Sequence, residues 1–384
     1  MKDSKYIFNT YFFCFLYLSW VFFIHACGSQ YFTLFNTDVL LKYFNSFIIV
    51  FLLAYFILSY KVNKNIFLDG LLAVVFIIGY TYFQKSVLVF IFIIMCRDVP
   101  FSLIVKSFLL ASLLGMLFIL CTYALSLYPK SSLDLFREDG YYRYLLGYRF
   151  PTFLPNYYFH MVLGWVFLRK ERIKLIEIIS ILVINVPIYQ LTDTRAVFFL
   201  VILTCAAVMA LKYGRVCYST FILGRTFSFL TKYSFVIFAF IAIYFQYTYD
   251  SSIYWMASLN SAFSGRLFLG HMGFELYNIT PFGNLVEFVT MLEVTGKNKF
   301  FYIDSAYVQL LLVYGVIIFS LILIAYTRIG YEIIKRNDKY FGLVLILLFA
   351  HSLTDPQLMS PEFNPFMMCL GYYGLARYKN NLFR

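Results

Sequence analysis

The chain reads as a succession of apolar stretches separated by short polar connectors, with two places where the connector becomes long. Apolar runs fall at about 7–26, 43–60, 67–84, 86–96, 101–127, 157–168, 175–191, 196–211, 233–249, 305–327, 340–353 and 363–378. They are continuous rather than alternating, and most have the length a helix needs to cross a hydrocarbon core of ~30 Å. A barrel, whose strands alternate with a period of two, does not fit. The pattern predicts an all-α polytopic membrane protein of about 12 transmembrane helices. No internal repeat, low-complexity tract or soluble domain interrupts it. Residues 1–384 are therefore read as a single integral membrane domain with two outer elaborations: a first loop over 128–156 and a large loop over 250–304 carrying short amphipathic helices.

Composition agrees with the pattern. The chain is 62% hydrophobic and 13% charged, against roughly 45–50% and 25% for soluble domains. With the N-terminus inside, about two thirds of the 31 Lys and Arg fall on inner segments, as in Arg169-Lys170, Arg172, Lys174, Lys335-Arg336 and Lys339. Acidic residues lean the other way, so both termini are predicted to be cytoplasmic. The net charge of +12 is then a matter of topology and of attraction to anionic lipid, and nucleic acid is not called for. Lys2 and Lys5 before an apolar run resemble a signal sequence. The run is too long and lacks a small-x-small cleavage site, so it is read as an uncleaved first span. The lipobox-like Ile24-His25-Ala26-Cys27 is compromised by His25. The seven cysteines form no CxxC pair and the four histidines are scattered, which indicates neither a disulfide framework nor a zinc site. Asp69 and Lys85 lie near span ends, where snorkelling explains them. An ion-coupled carrier would bury charge at mid-membrane and carry paired broken helices.

The large loop holds the densest candidate chemistry. Long connections in compact proteins are usually functional or disordered, and the aromatics of 250–304 argue against disorder. The segment contains Ser264-Gly265-Arg266, His271, Glu275, Pro281-Phe282-Gly283 and, where the next span begins, Asp304-Ser305-Ala306-Tyr307. Ser264 is placed to cap a helix over roughly 265–277. Arg266 then sits in a first turn whose free amides and dipole favour an anion such as pyrophosphate. His271 and Glu275, four residues apart, share one face with Ser264, while Arg266 points part of the way round from them. Asp304 is read first as the N-cap of the following span, and beyond that as a carboxylate of the same site.

In the first loop, Lys130, Arg137, Arg143 and Arg149 face Asp134, Glu138 and Asp139. Outer basic residues run against the topological bias, which leaves two readings: local salt bridges, or bidentate recognition of a phosphate. Arg195, in the turn Leu191-Thr192-Asp193-Thr194-Arg195, is either a snorkelling anchor or a contact to a lipid-linked phosphate at that depth.

Taken in order, several of these pieces resemble the repeat-unit polymerases of bacterial O-antigen and capsular or exopolysaccharide pathways (the Wzy type), which share a superfamily with the O-antigen ligases. The pieces are Thr192-Asp193-Thr194-Arg195 opening a span, Ser264-Gly265-Arg266 followed by Pro281-Phe282-Gly283, and Asp304-Ser305-Ala306-Tyr307 entering a span that contains Gly315. Arg143-Tyr144-Leu145-Leu146-Gly147-Tyr148 with Pro155-Asn156 is similar to a further stretch of the family. It departs from that stretch in carrying Leu145 for Ser, in lacking a His before Pro155, and in its longer spacing.

The resemblance implies glycosyl transfer at the outer side of the bacterial cytoplasmic membrane. An undecaprenyl-pyrophosphate-linked glycan is the donor, and a hydroxyl of an incoming lipid-linked repeat unit is the acceptor. Arg266, Glu275, His271 and Asp304 are then the catalytic candidates, and Arg143, Arg149, Arg195, Ser264 and Tyr307 the substrate-binding ones. Fixed arginines in a poorly hydrated pocket match the charge developing on a departing pyrophosphate, and a carboxylate or imidazole within reach of the acceptor hydroxyl serves as base. No carboxylate cluster for Mg²⁺ is visible, so no metal or other cofactor is expected. Tyr254, Trp255, Tyr277 and Tyr302 offer either sugar-stacking faces or an interfacial belt. The implied partners are membrane lipid, a chain-length regulator and a flippase. Two alternatives stay open: a ligase of the same superfamily, for which His271 speaks, and a flippase or other carrier.

Overall fold

The computed structural model describes residues 2–30, 37–59, 87–127, 135–136, 142–213, 221–290, 294, 299–372 and 382. The expected span at 67–84 lies outside these, as do Asp69, Lys85, Lys130, Asp134, Arg137, Glu138 and Asp139. Among the described residues the architecture is mainly α-helical, with short 3-10 segments, two isolated bridges and a two-residue pairing of Leu135–Phe136 with Tyr142–Arg143. The helices are α1 Lys2–Cys27, α2 Thr37–Ser59, α3 Val87–Met95, α4 Phe101–Ala124, α5 Phe153–Arg169, α6 Leu175–Thr192, α7 Arg195–Tyr213, α8 Phe221–Tyr247, α9 Tyr254–Ala262, α10 Arg266–Leu276, α11 Ala306–Lys335 and α12 Lys339–His351.

Six helices contain segments long and apolar enough to cross a membrane: Phe8–Cys27, Phe101–Ala124, Leu175–Thr192, Arg195–Tyr213, Gly224–Tyr247 and Ala306–Lys335. Shorter apolar stretches lie at Val39–Leu52 and Lys339–His351. The expected count of about 12 is therefore not reached among the described residues. The run at 86–96 yields only the nine residues of α3. Where a span was expected at 363–378, the described part is a 3-10 segment, Pro365–Tyr372, started by an Asn364 side chain that accepts from the Phe366 amide at 3.0 Å. Pro365, Phe366, Met367, Met368 and Cys369 are all buried in protein there. An apolar run destined for a protein interior has the same hydropathy as one destined for lipid.

Contacts divide the chain into two compact units, Met1–Lys61 with Ile91–Val216 and Ser360–Arg384, and Val62–Phe90 with Cys217–Met359. In the first, α1 packs on α2 and α4, and α5 packs on α4, α6 and α7. Aromatic side chains cement it: Phe13, Tyr17 and Trp20 of α1 surround Phe92 with ring centroids 6.1, 5.5 and 5.1 Å away. Residues 144–149 tie the C-terminal ends of α1 and α6 together, through Gln30 N–H to the Gly147 carbonyl (2.7 Å), Arg149 N–H to that of Gly28 (2.9 Å) and Tyr144 N–H to that of Leu191 (2.8 Å).

In the second unit α8 packs against α10, α11 and α12. The turn between α11 and α12 is written locally. Asn337 takes the left-handed conformation (φ 55°), and the Asp338 side chain caps α12 by accepting from the Phe341 amide at 3.2 Å. At the opposite end of this hairpin the Ala306 amide donates to the Ser352 carbonyl at 3.1 Å.

Helix α11 is broken at Gly315 (φ 82°, ψ 170°), and the break is filled by residues 280–284 of the large loop. The Leu312 carbonyl accepts from both the amide and the side-chain Nδ2 of Asn284, each at 2.9 Å. The amides of Val316 and Ile317 donate to the carbonyls of Thr280 (3.1 Å) and Pro281 (3.2 Å). Gly283 and Gly315 both have positive φ, and a Cβ on either would fall within 2.0–2.6 Å of the facing backbone. Irregular backbone in an apolar span must find its partners within the protein, and here the loop supplies them.

Candidate functional site

The large loop folds around its own aromatics. Phe301, Ile303, Val308 and Leu312 form a buried cluster with Tyr277 and Phe288 against it, and Val289 and Phe301 exchange backbone hydrogen bonds at 2.9 and 3.1 Å. Tyr277 and Tyr302 pack against Phe301 and Phe288 respectively. Tyr254 and Trp255 remain exposed. Ile303 is fully buried and presses on Gly273 of α10, where a Cβ would sit 2.7 Å from its Cδ1. This contact and the bond from Ala306 to Ser352 hold Asp304 between the two flanking anchors, beside α10 and the end of α12.

The helix expected at 265–277 is α10, but Ser264 does not cap it. The N-cap position is Gly265 (φ 83°) with no side-chain cap bond from that residue, and Ser264 is itself left-handed (φ 54°). Ser264 instead ends α9: its amide donates to Ser261 at 3.0 Å and that of Gly265 to Asn260 at 2.8 Å, the paired bonds of a Schellman C-terminus. The cap comes from Asn260, whose Oδ1 accepts from the Phe268 amide at 3.0 Å. The Arg266 amide is also used, donating to the Phe263 carbonyl at 3.3 Å. The expected cradle of free amides for an anion is thus largely occupied by the chain itself, and the Arg266 side chain is what α10 has left to offer.

That side chain turns to the base of α11. Arg266 Nε lies 3.1 Å from Asp304 Oδ2, both side chains being 28% exposed. The Nε–H is buried and not aligned on any acceptor, and Nη1 makes one long bond to the Phe263 carbonyl at 3.4 Å. The guanidinium is held by charge rather than filled with hydrogen bonds. Asp304 is not the N-cap of α11, a position held by Ser305 without any side-chain cap bond. Burial pushes the Asp304 carboxyl up to about 6, with Arg266 pulling it down and Asp355 adding to the rise. Asp355 lies just beyond α12, its Oδ2 4.0 Å from Nε2 of the buried His351. The structure thus gathers four ionisable groups, Arg266, Asp304, Asp355 and His351, from three separated stretches.

His351 and Asp355 were not singled out by the sequence. Their only local signal is a spacing of four residues across a helix end, and the neighbour that gives them meaning is Asp304, remote in sequence. His271 and Glu275 lie on another face of α10. The imidazole bonds the Gln246 carbonyl through Nδ1 at 3.2 Å, which puts the proton on that nitrogen and leaves Nε2, 3.6 Å from Glu275 Oε1, as the basic one. The Glu275 side chain is 65% exposed. Tyr307, expected to meet substrate, is fully buried and donates its hydroxyl to the Phe349 carbonyl at 2.8 Å. It belongs to the core of the second unit.

Arg143, Arg149 and Arg195 belong to the first unit. Arg143 donates to the Thr192 carbonyl (2.8 Å) and to Thr194 Oγ1 (3.3 Å), fastening the pairing strand to the α6–α7 turn. Arg149 Nη2 reaches Thr37 Oγ1 at 3.1 Å while its Nε is buried without an acceptor. Arg195 pairs with Asp193 at 3.3 Å and is largely exposed. Next to Arg149, Tyr148 is buried against His25, its hydroxyl 2.9 Å from Nε2. The imidazole lies flat on Tyr157, with centroids 3.6 Å apart and planes within 4°. His25 is a buried packing residue of this unit. Among the described residues no group of His, Cys, Asp and Glu is arranged to hold a metal. No family model matches the chain, and neither a curated protein nor a solved structure matches it significantly.

Proposed function

We propose that this protein is a polymerase of lipid-linked glycan repeat units in the bacterial cytoplasmic membrane. In this reading both termini are cytoplasmic, and an undecaprenyl-pyrophosphate-linked glycan is transferred to a sugar hydroxyl of a second lipid-linked unit on the outer side. The observation that carries the reading is the Arg266–Asp304 pair. A cation with unfilled donors and a carboxyl poised near neutrality stand side by side, half-buried, where an apolar helix begins. Glycosyl transfer from a pyrophosphate needs those two things: a fixed positive charge to receive the leaving group, and a base whose proton affinity lies close to the working pH. Arg266 takes the departing pyrophosphate and Asp304 the acceptor proton. The order of the short sequence motifs supports the same reading. His271, with Nε2 as its basic nitrogen, keeps the ligase-type transferase as an alternative.

The break at Gly315 is the one observation that favours a carrier, since broken helices form transport sites. Its freed backbone groups, however, are bonded to the 280–284 loop. A deletion strain separates the three. Single repeat units displayed at the surface support the polymerase, and polymer that never reaches its final acceptor supports the ligase. Repeat units trapped in the cytoplasm support the carrier. In the same strain Arg266→Ala should give no polymer at wild-type protein level, and normal chain lengths from that variant would remove Arg266 from the site.

A further inference from the structure

On the proposed reading, Arg266 has two competing partners, Asp304 and the donor. Arg266 is the group that holds Asp304 in its charged form, and it is also the group that a pyrophosphate would claim. Among the described residues its side-chain contacts include the 3.1 Å approach of Nε to Asp304, which is not well aligned, and the 3.4 Å bond to Phe263, both weaker than the bidentate pair a phosphate offers a guanidinium. On the other side of Asp304 the influences are unfavourable to its charge. Asp355 repels it, burial desolvates it, and the hydroxyl of the adjacent Ser305 is buried without a partner. Among the described residues, the charged and titratable groups acting on Asp304 are Arg266 from α10 and Asp355 from beyond α12. His351 adjoins Asp355 and lies within electrostatic range of Arg266.

We infer that the donor strengthens the base: a bound sugar pyrophosphate diester takes Arg266 away from Asp304, and Asp304 gains proton affinity as a direct result. Losing the guanidinium removes a charge that lowers its affinity for a proton, and the incoming anion adds a second repulsion, so both effects have the same sign. In the complete reaction the acceptor hydroxyl loses its proton to Asp304, in those donor complexes whose carboxyl is still ionised, as its oxygen bonds the anomeric carbon. The bond from that carbon to the pyrophosphate breaks, and the electron pair leaves on the phosphate oxygen that Arg266 holds. The proton then passes from Asp304 to water. Before the donor arrives, Asp304 stays paired with Arg266 and is the weaker base.

The consequence is a linkage between donor binding and protons that is measurable without turnover. The probe is a short-prenyl pyrophosphate N-acetylglucosamine diester, whose two charges do not titrate between pH 5 and 9. Its binding to the full-length protein in detergent is followed by calorimetry in two buffers of different ionisation heat. Wild type should take up a fraction of a proton at pH 7, and its affinity should tighten as pH falls from 8 to 6, by no more than about tenfold per pH unit for one proton. Asp304→Asn should bind with no proton uptake and no pH dependence. Binding by wild type without proton uptake, or pH linkage persisting in Asp304→Asn, overturns the inference while leaving the donor site standing. Probe that does not bind wild type, or binds the Arg266→Gln/Asp304→Asn double variant equally well, overturns the donor site itself.

Discussion

Asp304 is the residue on which electrostatics and chemistry meet. Burial raises its carboxyl to about 6, and Asp355 contributes to the rise. If Asp304 must be ionised to accept the acceptor proton, kcat/KM, which reports the free protein, climbs as pH rises through that value, and kcat, which reports the donor-bound protein, climbs at higher pH. Asp355→Asn removes one of the raising influences, so the ascending limb of the pH–rate profile should move toward acid, while a limb that stays in place would separate Asp355 from the base. Purified protein in liposomes, supplied with lipid-linked repeat units over pH 5–8, gives the profile. Tyr307 offers the contrasting case. Its hydroxyl serves only the buried Phe349 carbonyl, so Tyr307→Phe should lower stability by about 1–3 kcal/mol, the cost of an unsatisfied buried acceptor. Chain length of the polymer should be unchanged. A thermal-shift measurement and a glycan gel on the same preparation check both halves, and altered chain lengths would return Tyr307 to the site.

At the scale of elements, what could be read in the sequence was set by how local the information is. The helix expected over 265–277 is α10, Arg266–Leu276, because its start is fixed by the adjacent Ser264-Gly265 turn. The identity of its cap was not legible, since Asn260 reaches back from the preceding helix and no spacing rule anticipates that. Of the expected span at 363–378 the described part is the 3-10 segment Pro365–Tyr372, and apolar side chains buried all round look alike whether lipid or protein surrounds them. His351 was invisible for a related reason: it ends an apolar run and acquires a role only through Asp355 and the remote Asp304. Gly315 and Pro281-Phe282-Gly283 are separate motifs in the sequence, and the structure joins them into one device. Gly315 adopts φ 82° and ψ 170°, a region essentially closed to other residues at on the order of 1–3 kcal/mol, and its missing Cβ leaves room for the Gly283 backbone. Gly315→Ala should therefore expel the loop from the break. The expected signs are lost thermal stability and lost activity together, with protease cutting near residues 280–284 in the variant only. A variant with wild-type melting and protection would show that the loop tolerates a wider seat.

The whole molecule is described as two compact units, and the proposed chemistry lies within the second. Its hairpin makes a self-contained argument about sidedness. Asp304 and the end of α12 are drawn together by the bond from Ala306 to Ser352, while the turn carrying Lys335, Arg336 and Lys339 is at the far end of α11. If α11 crosses the membrane, these two ends lie in opposite compartments, and basic residues at the turn favour the cytoplasm for it. The glycan-facing side is then the one with Arg266 and Asp304. Single cysteines at Ser251→Cys, in the large loop, and Lys335→Cys, at the turn, are both at exposed positions, and among the described native cysteines Cys121 is the exposed one, so wild type supplies the background. A membrane-impermeant maleimide applied to intact spheroplasts should modify Ser251→Cys at once and Lys335→Cys only after permeabilisation. The reverse pattern would put Asp304 on the side where nucleotide sugars, rather than flipped lipid-linked units, are found, and the polymerase reading would not survive it. Equal labelling of both without permeabilisation would deny that α11 crosses at all, and with it the reason for a leaving-group cation at that helix end.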